Sequence, residues 1–390
     1  MVLHVNKLKR VAVLIESTRG YSRELIRGVA QFNREQSRWR IEYTPGSIRD
    51  LPSQWLKEWN GDGILARIET KPMLNALLRK KVPVIDLRRS FSHPDIPSIG
   101  PDDRCVIQML FEHFRRAGFT RFAFVSTVRN YHAAMDLRRD TCRELVHANK
   151  LTFSDIEIEP PDSGGDKVRM MKKLSGWLKR LAYRTAVIAC TDDFALQVLN
   201  GCRLIERNVP NDIAVAGIGN DDCLCELALP TLTSVDLAPK KIGYNAAELL
   251  QKMMDENYVP PKTILFQPSM IVSRMSTDTI ATEDVVVSEA LRFIHVNVCG
   301  GVQVKDVLRH VHLSRVALEN RFKKAIGHTI FQEILDVRLR KVRELLTTTD
   351  LPFKTVAFQT GFDYPEYLMR LFREKYGQTM KVFRKNHGMK

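Results

Sequence analysis

One sequence pattern occurs twice in the C-terminal part of this chain, and such a repeat limits the possible folds more than any single residue does. Leu318, Phe322, Lys323, Gly327 and Thr329 return fifty positions later as Leu368, Phe372, Arg373, Gly377 and Thr379, with Ile326 answered by Tyr376. Apolar residues at i, i+4 and i+8 give one buried helix face, and the glycine follows where a helix C-cap takes a left-handed backbone. Each copy is therefore expected to be a helix that ends at its glycine. Ahead of the first copy, Val304, Val307, Leu308 and Val311 form an apolar stripe, His312-Leu313 makes a turn, and Ser314 can cap the next helix. Ahead of the second stand Phe353, Val356 and Ala357, then Gly361-Phe362, with Asp363 and Glu366 spaced as a capping box. A short helix, a tight turn and a second helix are the parts of a helix-turn-helix. Between the two units, Ile334, Leu335, Leu339, Val342, Leu345 and Leu346 trace one face of a long helix that would set their separation.

With its basic connecting helix (Arg338, Arg340, Lys341, Arg343) and the Val-Ala, Gly-Phe, Phe and Gly marks of the second unit, this region resembles the AraC family of transcription regulators from about Val285 to Arg384. It departs from that family at Met380, where a proline usually follows Gly-x-Thr, and at Phe383, where a tyrosine is usual. The resemblance implies double-stranded DNA as partner, read in the major groove. On the first reading helix, Arg315, Val316, Glu319, Asn320 and Lys323 lie off the apolar stripe. Asparagine suits adenine, arginine suits guanine or a phosphate, glutamate accepts from cytosine, and valine meets a thymine methyl. Val316, Glu319 and Asn320 match base-contacting positions of the family. On the second helix the candidates are Tyr364, Pro365, Glu366, Met369, Arg370 and Arg373, and Arg370 stands where the family keeps a contacting arginine. The i, i+4 spacing of Glu366 and Arg370 equally suits a surface ion pair worth about 0.3 kcal/mol. Charge is compatible with DNA: residues 285–390 hold 19 Lys and Arg against 10 Asp and Glu, supplying nine of the fifteen net positive charges.

The first two-thirds of the chain alternates β-branched runs with amphipathic helices, the pattern of a parallel α/β sheet. Strands are expected at Val11–Ile15, Ile64–Ala66, Val84–Leu87, Phe122–Val125, Ala186–Ala189 and Ile213–Ile218, with helices lined by Leu25, Ile26, Val29 and Phe32, by Val106, Leu110 and Phe114, and by Ile242, Ala246, Leu249 and Leu250. Gly61-Asp62-Gly63-Ile64-Leu65, Val82-Pro83-Val84-Ile85, the Gly118 to Val125 run, Cys190-Thr191-Asp192-Asp193, Asp212 to Ile218 and Pro230 to Val235 follow in the order and spacing of the effector-binding core of the LacI family, from Arg10 to about Met275. The expected architecture is a two-lobed, type I periplasmic-binding-protein-like α/β core followed by an all-α double helix-turn-helix domain. The ligand domain would span 1–275, a linker of little apolar pattern 276–284, and the DNA-binding domain 285–390. Xylose-responsive activators are the best-known regulators that combine these two parts, and the chain is similar to them throughout.

Such cores hold a small polar ligand between the lobes, beyond the carboxyl ends of the strands. By resemblance, Asp192 and Arg138 match ligand-contacting residues. The Gly219-Asn220-Asp221 loop follows the last strand of its lobe, but Gly219 occupies the place of the usual sugar-binding aspartate, leaving Asn220 or Asp221 to take over. Glu16, Arg19, Tyr21, Arg23, Asp86 and Arg88 are rim candidates, with helix caps or loop ion pairs as the alternative reading. The resemblance implies a monosaccharide effector, a homodimer and RNA polymerase as a further partner; activation of sugar-utilisation genes is the first reading, repression or a different polar ligand the alternative.

Nothing in the sequence suggests an enzyme. Asp192-Asp193 and Asp221-Asp222 are neighbours in sequence, whose side chains tend to diverge; Gly164-Gly165 lacks the Lys-Ser/Thr of a phosphate loop; and no His-Glu-x-x-His occurs. The seven cysteines show no paired zinc spacing, and neither a cofactor nor a metal is expected. Without a long apolar run or a signal-like start, the expected compartment is the cytoplasm, with no membrane partner.

Overall fold

Strands such as Thr185–Ala189 and Ile213–Ile218 are buried at every residue, and a strand apolar on both faces needs helices on both sides. In the computed structural model, which describes residues 8–36, 39–43, 53–91, 93–160, 164–256, 258–278, 282 and 284–387, two such sheets form. Lobe 1 joins β1 (Lys9–Leu14), β2 (Trp39–Tyr43), β3 (Gly63–Ala66), β4 (Val84–Asp86), β5 (Ser98–Pro101) and β11 (Thr263–Phe266) in the order β11-β5-β4-β3-β1-β2, all parallel. Lobe 2 joins β6 (Arg121–Thr127), β7 (Thr152–Ile158), β8 (Thr185–Ala189), β9 (Ile213–Ile218), β10 (Thr233–Asp236) and β12 (Met270–Val272) in the order β12-β10-β9-β8-β6-β7, with β12 antiparallel.

Helices α1 (Gly20–Gln36), α2 (Ser53–Glu58), α3 (Lys71–Leu78) and α9 (Pro239–Glu256) flank lobe 1, while α4 (Asp103–Arg116), α5 (Ala133–Ala148), α6 (Lys167–Arg180), α7 (Asp192–Leu204) and α8 (Asp222–Leu227) flank lobe 2. The chain passes between lobes from β5 to α4, from β10 to α9 and from β11 to β12. These crossings are tied together by Asp102 N–H to Phe266 O and Ser269 N–H to Asp236 O, both 2.8 Å.

The expected strands are all present, and further strands were not foreseen. β2 and β7 are sheet edges carrying Arg40, Glu42, Asp155 and Glu157, so they lack an apolar run. β5 is the short Ser-Ile-Gly-Pro, whose composition reads as a turn.

Residues 280–390 form a second unit, separate from Met1–Thr279. It comprises α10 (Val285–Asn297), α11 (Val304–Val311), α12 (Arg315–Ile326), α13 (Ile330–Thr348), α14 (Phe353–Gln359), α15 (Pro365–Tyr376) and α16 (Met380–His387). The long helix α13 serves two cores. Ile334 and Val337 pack with Val307, Leu318 and Phe322 of the first helix-turn-helix, and Leu339, Val342 and Leu346 with Val356, Leu368 and Phe372 of the second.

The stretch 276–284 is narrower as a linker than the sequence suggested. Ser276 and Thr277 are buried against lobe 2, where Ser276 Oγ donates to Val215 O at 2.6 Å, while Asp284 caps α10 by accepting from Val286 and Val287 N–H. Hydroxyl pairing rather than apolar burial holds the lobe 2 end, so hydropathy did not reveal it.

In lobe 1, α1 and α9 cross with their backbones in contact. A Cβ at Gly28 would fall 2.0 Å from Lys240 O, and one at Gly243 2.1 Å from Leu25 O. Gly28→Ala is expected to cost about 1–3 kcal/mol by forcing the helices apart. Chemical denaturation of the full chain reads this, and an unchanged midpoint would show that the crossing yields easily.

Candidate functional site

The carboxyl ends of the strands of both lobes face one cavity of about 120 Å³. Asp192 opens α7 straight after β8 and is buried; its Oδ1 accepts from Ser234 Oγ at 2.5 Å and its Oδ2 from Asp221 N–H at 2.8 Å. Burial pushes this carboxyl up to about 6, against the two hydrogen bonds. Arg138, on α5, donates from Nε to Asp103 and from Nη1 to Cys190 O, each at 2.7 Å. Tyr21 is at the start of α1 with Arg67 5.4 Å above its ring, and burial pushes its phenol up to about 12. Arg19 lies at the rim, 3.9 Å from Asp193.

The Gly219 loop sits on the seam between the lobes. Asp221 accepts from Gly20 N–H of lobe 1 at 2.7 Å and lies 3.7 Å from Arg23. Asn220 points elsewhere. Its side chain accepts from Arg274 Nη1 at 3.0 Å and lines an outer groove of about 930 Å³, which shares Gly219 and Asp221 with the inner cavity. Arg274 also donates to Leu232 O at 2.9 Å, immediately before the buried Ser276-Thr277 segment.

Of the rim candidates, Asp86 accepts from the N–H groups of Ile68, Arg88 and Arg89 at 3.1, 2.9 and 3.0 Å, so it shapes the turn that aims two arginines. Glu16 is buried 3.5 Å from Arg67. Sequence reading missed Arg67, Arg89, Asp103 and His132, all of which line the cavity. Arg67 and Arg89 follow strands, so the rule that selected Arg88 applies to them too. Asp103 follows the unforeseen β5, and His132, the N-cap of α5, carries no sequence signal. Among the described residues no group of His, Cys, Asp or Glu is placed to hold a metal.

In the second unit, Gly327 and Gly377 take φ of 83° and 69° and end α12 and α15 as the repeat required, and Ser314 Oγ accepts from Ala317 N–H at 3.3 Å. Leu318, Phe322, Leu368 and Phe372 are fully buried. The opposite faces meet solvent. Arg315, Val316, Asn320 and Lys323 are exposed on α12, as are Glu366, Met369, Arg370 and Arg373 on α15. Glu319 is half-buried and accepts from Ile330 N–H at 3.4 Å, so part of its capacity caps α13. Half-buried Pro365 is the first residue of α15 and Tyr364 its N-cap, which displaces the expected Asp363/Glu366 capping box: proline supplies a helical φ without an N–H to satisfy. Arg370 lies 4.0 Å from Glu374 and 5.5 Å over Tyr367, rather than pairing with Glu366. Met380 and Phe383 are buried in the second core, Phe383 edge-on to Phe372 at 5.5 Å, so these departures from the AraC pattern serve packing.

Arg338 bridges the two modules, donating to Val302 O at 3.0 Å and covering Phe362 at 5.5 Å. Glu333 is a buried carboxylate in the first module, 2.6 Å from His328 Nε2, 3.4 Å from His295 Nε2 and 3.3 Å from Arg340 Nη2. Burial acts to raise it, yet the two imidazoles and Arg340 hold it well below the usual carboxylate range, while its hydrogen bond raises His328.

Three domain families match in chain order: the XylR N-terminal domain at residues 10–102, a periplasmic binding protein-like domain at 111–277 and a helix-turn-helix domain at 307–386. A two-lobed sensor core with a paired helix-turn-helix head defines a ligand-responsive, DNA-binding transcription regulator rather than an enzyme. The xylose operon regulatory protein of Escherichia coli (strain K12) is 30% identical over 387 residues, 97% of each chain, and that of Haemophilus influenzae is 28% identical over 386 residues, 97% of this chain and 98% of the other. The solved structure of the xylose-binding transcription activator XylR matches at a TM-score of 0.81 and 28% identity, across 98% of this chain and 99% of that one. The chain belongs to this family of xylose operon regulatory proteins.

The Glu333 cluster sets a pH window for the DNA-binding unit. The contribution of Glu333, whose folded value is depressed, is present above its ordinary 4.5 and lost as pH falls from there. That of His328, whose folded value is raised, is complete below its ordinary 6.5 and lost as pH rises through the raised value. Glu333→Gln is expected to cost roughly 3 kcal/mol near neutrality and to flatten both limbs of a melting-temperature profile; a parallel profile would remove the cluster from this role.

Proposed function

We propose that this chain is a homodimeric activator that couples occupancy of its cleft by a small polar solute, a monosaccharide or close derivative, to promoter binding and recruitment of RNA polymerase in the cytoplasm. The observation that carries it is the pairing, in one chain, of a cleft bridged by Asp221 with two helices whose polar faces are open to solvent. Asp192, Arg138, Tyr21 and Arg19 would meet the effector directly. Asp221 would act as the closure contact, and Asn220 through Arg274. On DNA, Asn320, Val316 and Arg315 with Glu366, Arg370 and Arg373 would read bases in successive major grooves about 34 Å apart, Lys323 would neutralise a phosphate, and Glu319 and Pro365 would fix the helix starts and ends that aim them.

Occupancy shifts the balance of states only by the difference in ligand affinity between them. Closure would tighten the Gly20–Asp221 bridge and pull on Arg274 at the base of the link to the head. Xylose, the sugar in the relatives' names, is the reference ligand.

Arg370→Ala is expected to weaken operator binding about tenfold or more, with relaxed preference at one base pair, as for loss of one bidentate base contact. A mobility-shift series over operator variants measures it, and equal loss on every variant would reassign Arg370 to a phosphate. For the sensor itself, promoter affinity measured with and without saturating monosaccharide or sugar derivative is expected to differ by about 5-fold or more. An affinity that no such solute moves would end the sensor reading.

A further inference from the structure

We infer that helix α6 of lobe 2 is a second DNA-contacting surface, one that holds the phosphate backbone of a duplex outside the base-reading head. The inference stands whichever solute fills the cleft.

With nine of the fifteen net positive charges in residues 285–390, six remain for residues 1–284. Helix α6 (Lys167–Arg180) alone holds six cations, Lys167, Arg169, Lys172, Lys173, Lys179 and Arg180, and no carboxylate. The rest of the sensor is therefore neutral overall. All six are exposed. Among the described residues none of them is ion-paired, and only the Lys173 side chain has a partner, donating from Nζ to Glu157 O at 2.7 Å. Other surface helices offset their cations from within: Arg27 with Glu24 on α1, Arg116 with Glu112 on α4, Lys252 with Glu248 on α9.

This arrangement works against the helix. Arg169 precedes Lys172 and Lys173 by three and four positions, where like charges on one face repel. Lys167 and Arg169 occupy the first turn, at the positive end of the macrodipole, and the Asp166 carboxylate there is turned to the cap, accepting from Val168 and Arg169 N–H. Folding alone gives no reason for such a stripe, whereas a polyanion laid along it would offset each of these repulsions.

Gly176 is an independent sign. It follows Lys172 and Lys173 by four and three positions and precedes Lys179 and Arg180 by three and four, so it lies on the basic face. Glycine inside a helix costs stability relative to alanine, and a Cβ at Gly176 would meet nothing within 4 Å, so packing within the chain does not call for it. It leaves a notch between two pairs of cations, where a phosphate backbone can approach closely.

Duplex DNA is the polyanion these observations favour. The stripe runs about 16 Å from Arg169 to Arg180, against a duplex that carries one charge per ~1.7 Å of axis. Its helix offers no ring to stack on an unpaired base, since Trp177 is buried. Lobe 2 ends at Thr277 and the head begins at Val285, so a head bound at its operator holds lobe 2 at a high local concentration of duplex. A protein partner would also cover Val168 and Leu204, which are 79% and 67% exposed on the flank of α6; a duplex has no use for them.

Fluorescence anisotropy of the full-length chain on operator and random-sequence duplexes, across a salt series, tests this. Arg169→Gln, Lys172→Gln, Lys179→Gln and Arg180→Gln together are expected to weaken binding to both duplexes about tenfold or more. The slope of log K against log salt is expected to shrink by about 2–4, at roughly 0.9 per lost phosphate contact, with base preference intact. Gly176→Glu should weaken binding likewise without lowering the melting temperature. Neutralising Lys57, Lys71, Arg79 and Lys81 of lobe 1, equally exposed, removes the same charge and is expected to leave the slope unchanged. An equal fall in that control reduces the effect to net charge and overturns the inference, as does an unchanged slope in the α6 variant. Normal duplex binding with transcription lost in vitro, matched by Val168→Ser with Leu204→Ser, assigns the face to a protein partner and overturns it too.

Discussion

The sensor depends on one carboxylate. Asp221 reaches across the seam to the Gly20 amide, and its own amide holds Asp192 inside the cleft. A contact of this type is strong because a charged acceptor meets backbone donors in a partly desolvated place. It also makes the loop a junction: Asn220, next in the chain, holds Arg274, and Arg274 precedes the segment that ties the end of lobe 2 to strands β9 and β10. On the proposed reading, a solute that changes how Asp192 or Asp221 is satisfied changes the same loop that steadies the link towards the head. No long-range pathway needs to be invoked, because each group is joined to the next either by a hydrogen bond or by adjacency in sequence.

The DNA-binding unit solves a different problem. Each helix-turn-helix is too small to bury a core alone, and α13 supplies the missing apolar surface to both, its first half to one and its second half to the other. Arg338 then joins the modules through Val302 O and Phe362, and the backbone at Gly361 comes so near that a Cβ would lie 2.5 Å from Val298 O. Two reading helices held by one rod and one clamp cannot adjust independently, which suits recognition at a fixed spacing. Glu333 buries a charge in that assembly because His328 and Arg340 hydrogen-bond to it and the His295 ring lies 3.4 Å away.

The head was the more legible part, because its information is periodic. Leu318 and Leu368, Phe322 and Phe372, Gly327 and Gly377 each state a burial or a backbone angle that spacing alone conveys. The central strands of the core were legible for the same reason, whereas β2 and β7 mix charges with apolar residues and are defined by their neighbours in the sheet. The cleft was legible only in part. Asp192, Arg138 and Arg88 follow from position after a strand or from resemblance. Asp103 and His132 acquire meaning only when lobe 1 and lobe 2 meet, since what matters about Asp103 is that two arginines from different elements share it. Asn220 illustrates the converse: its sequence position promised the cleft, and its left-handed backbone, φ 50°, turns the side chain to Arg274 instead.

Family membership and effector chemistry are therefore separable. The family is written in packing, in crossing glycines and in the two helix-turn-helix cores, none of which touches a ligand. The effector is written in the residues just past the strand ends, and those can change without disturbing the sheet because they project into the cavity rather than between the strands. Here Asp86 spends three backbone hydrogen bonds on presenting Arg88 and Arg89 to the cavity. A turn built that firmly fixes the cleft's guanidinium donors, Arg88 against Glu69 and Arg89 against Asp103, without altering the sheet whose packing marks the family.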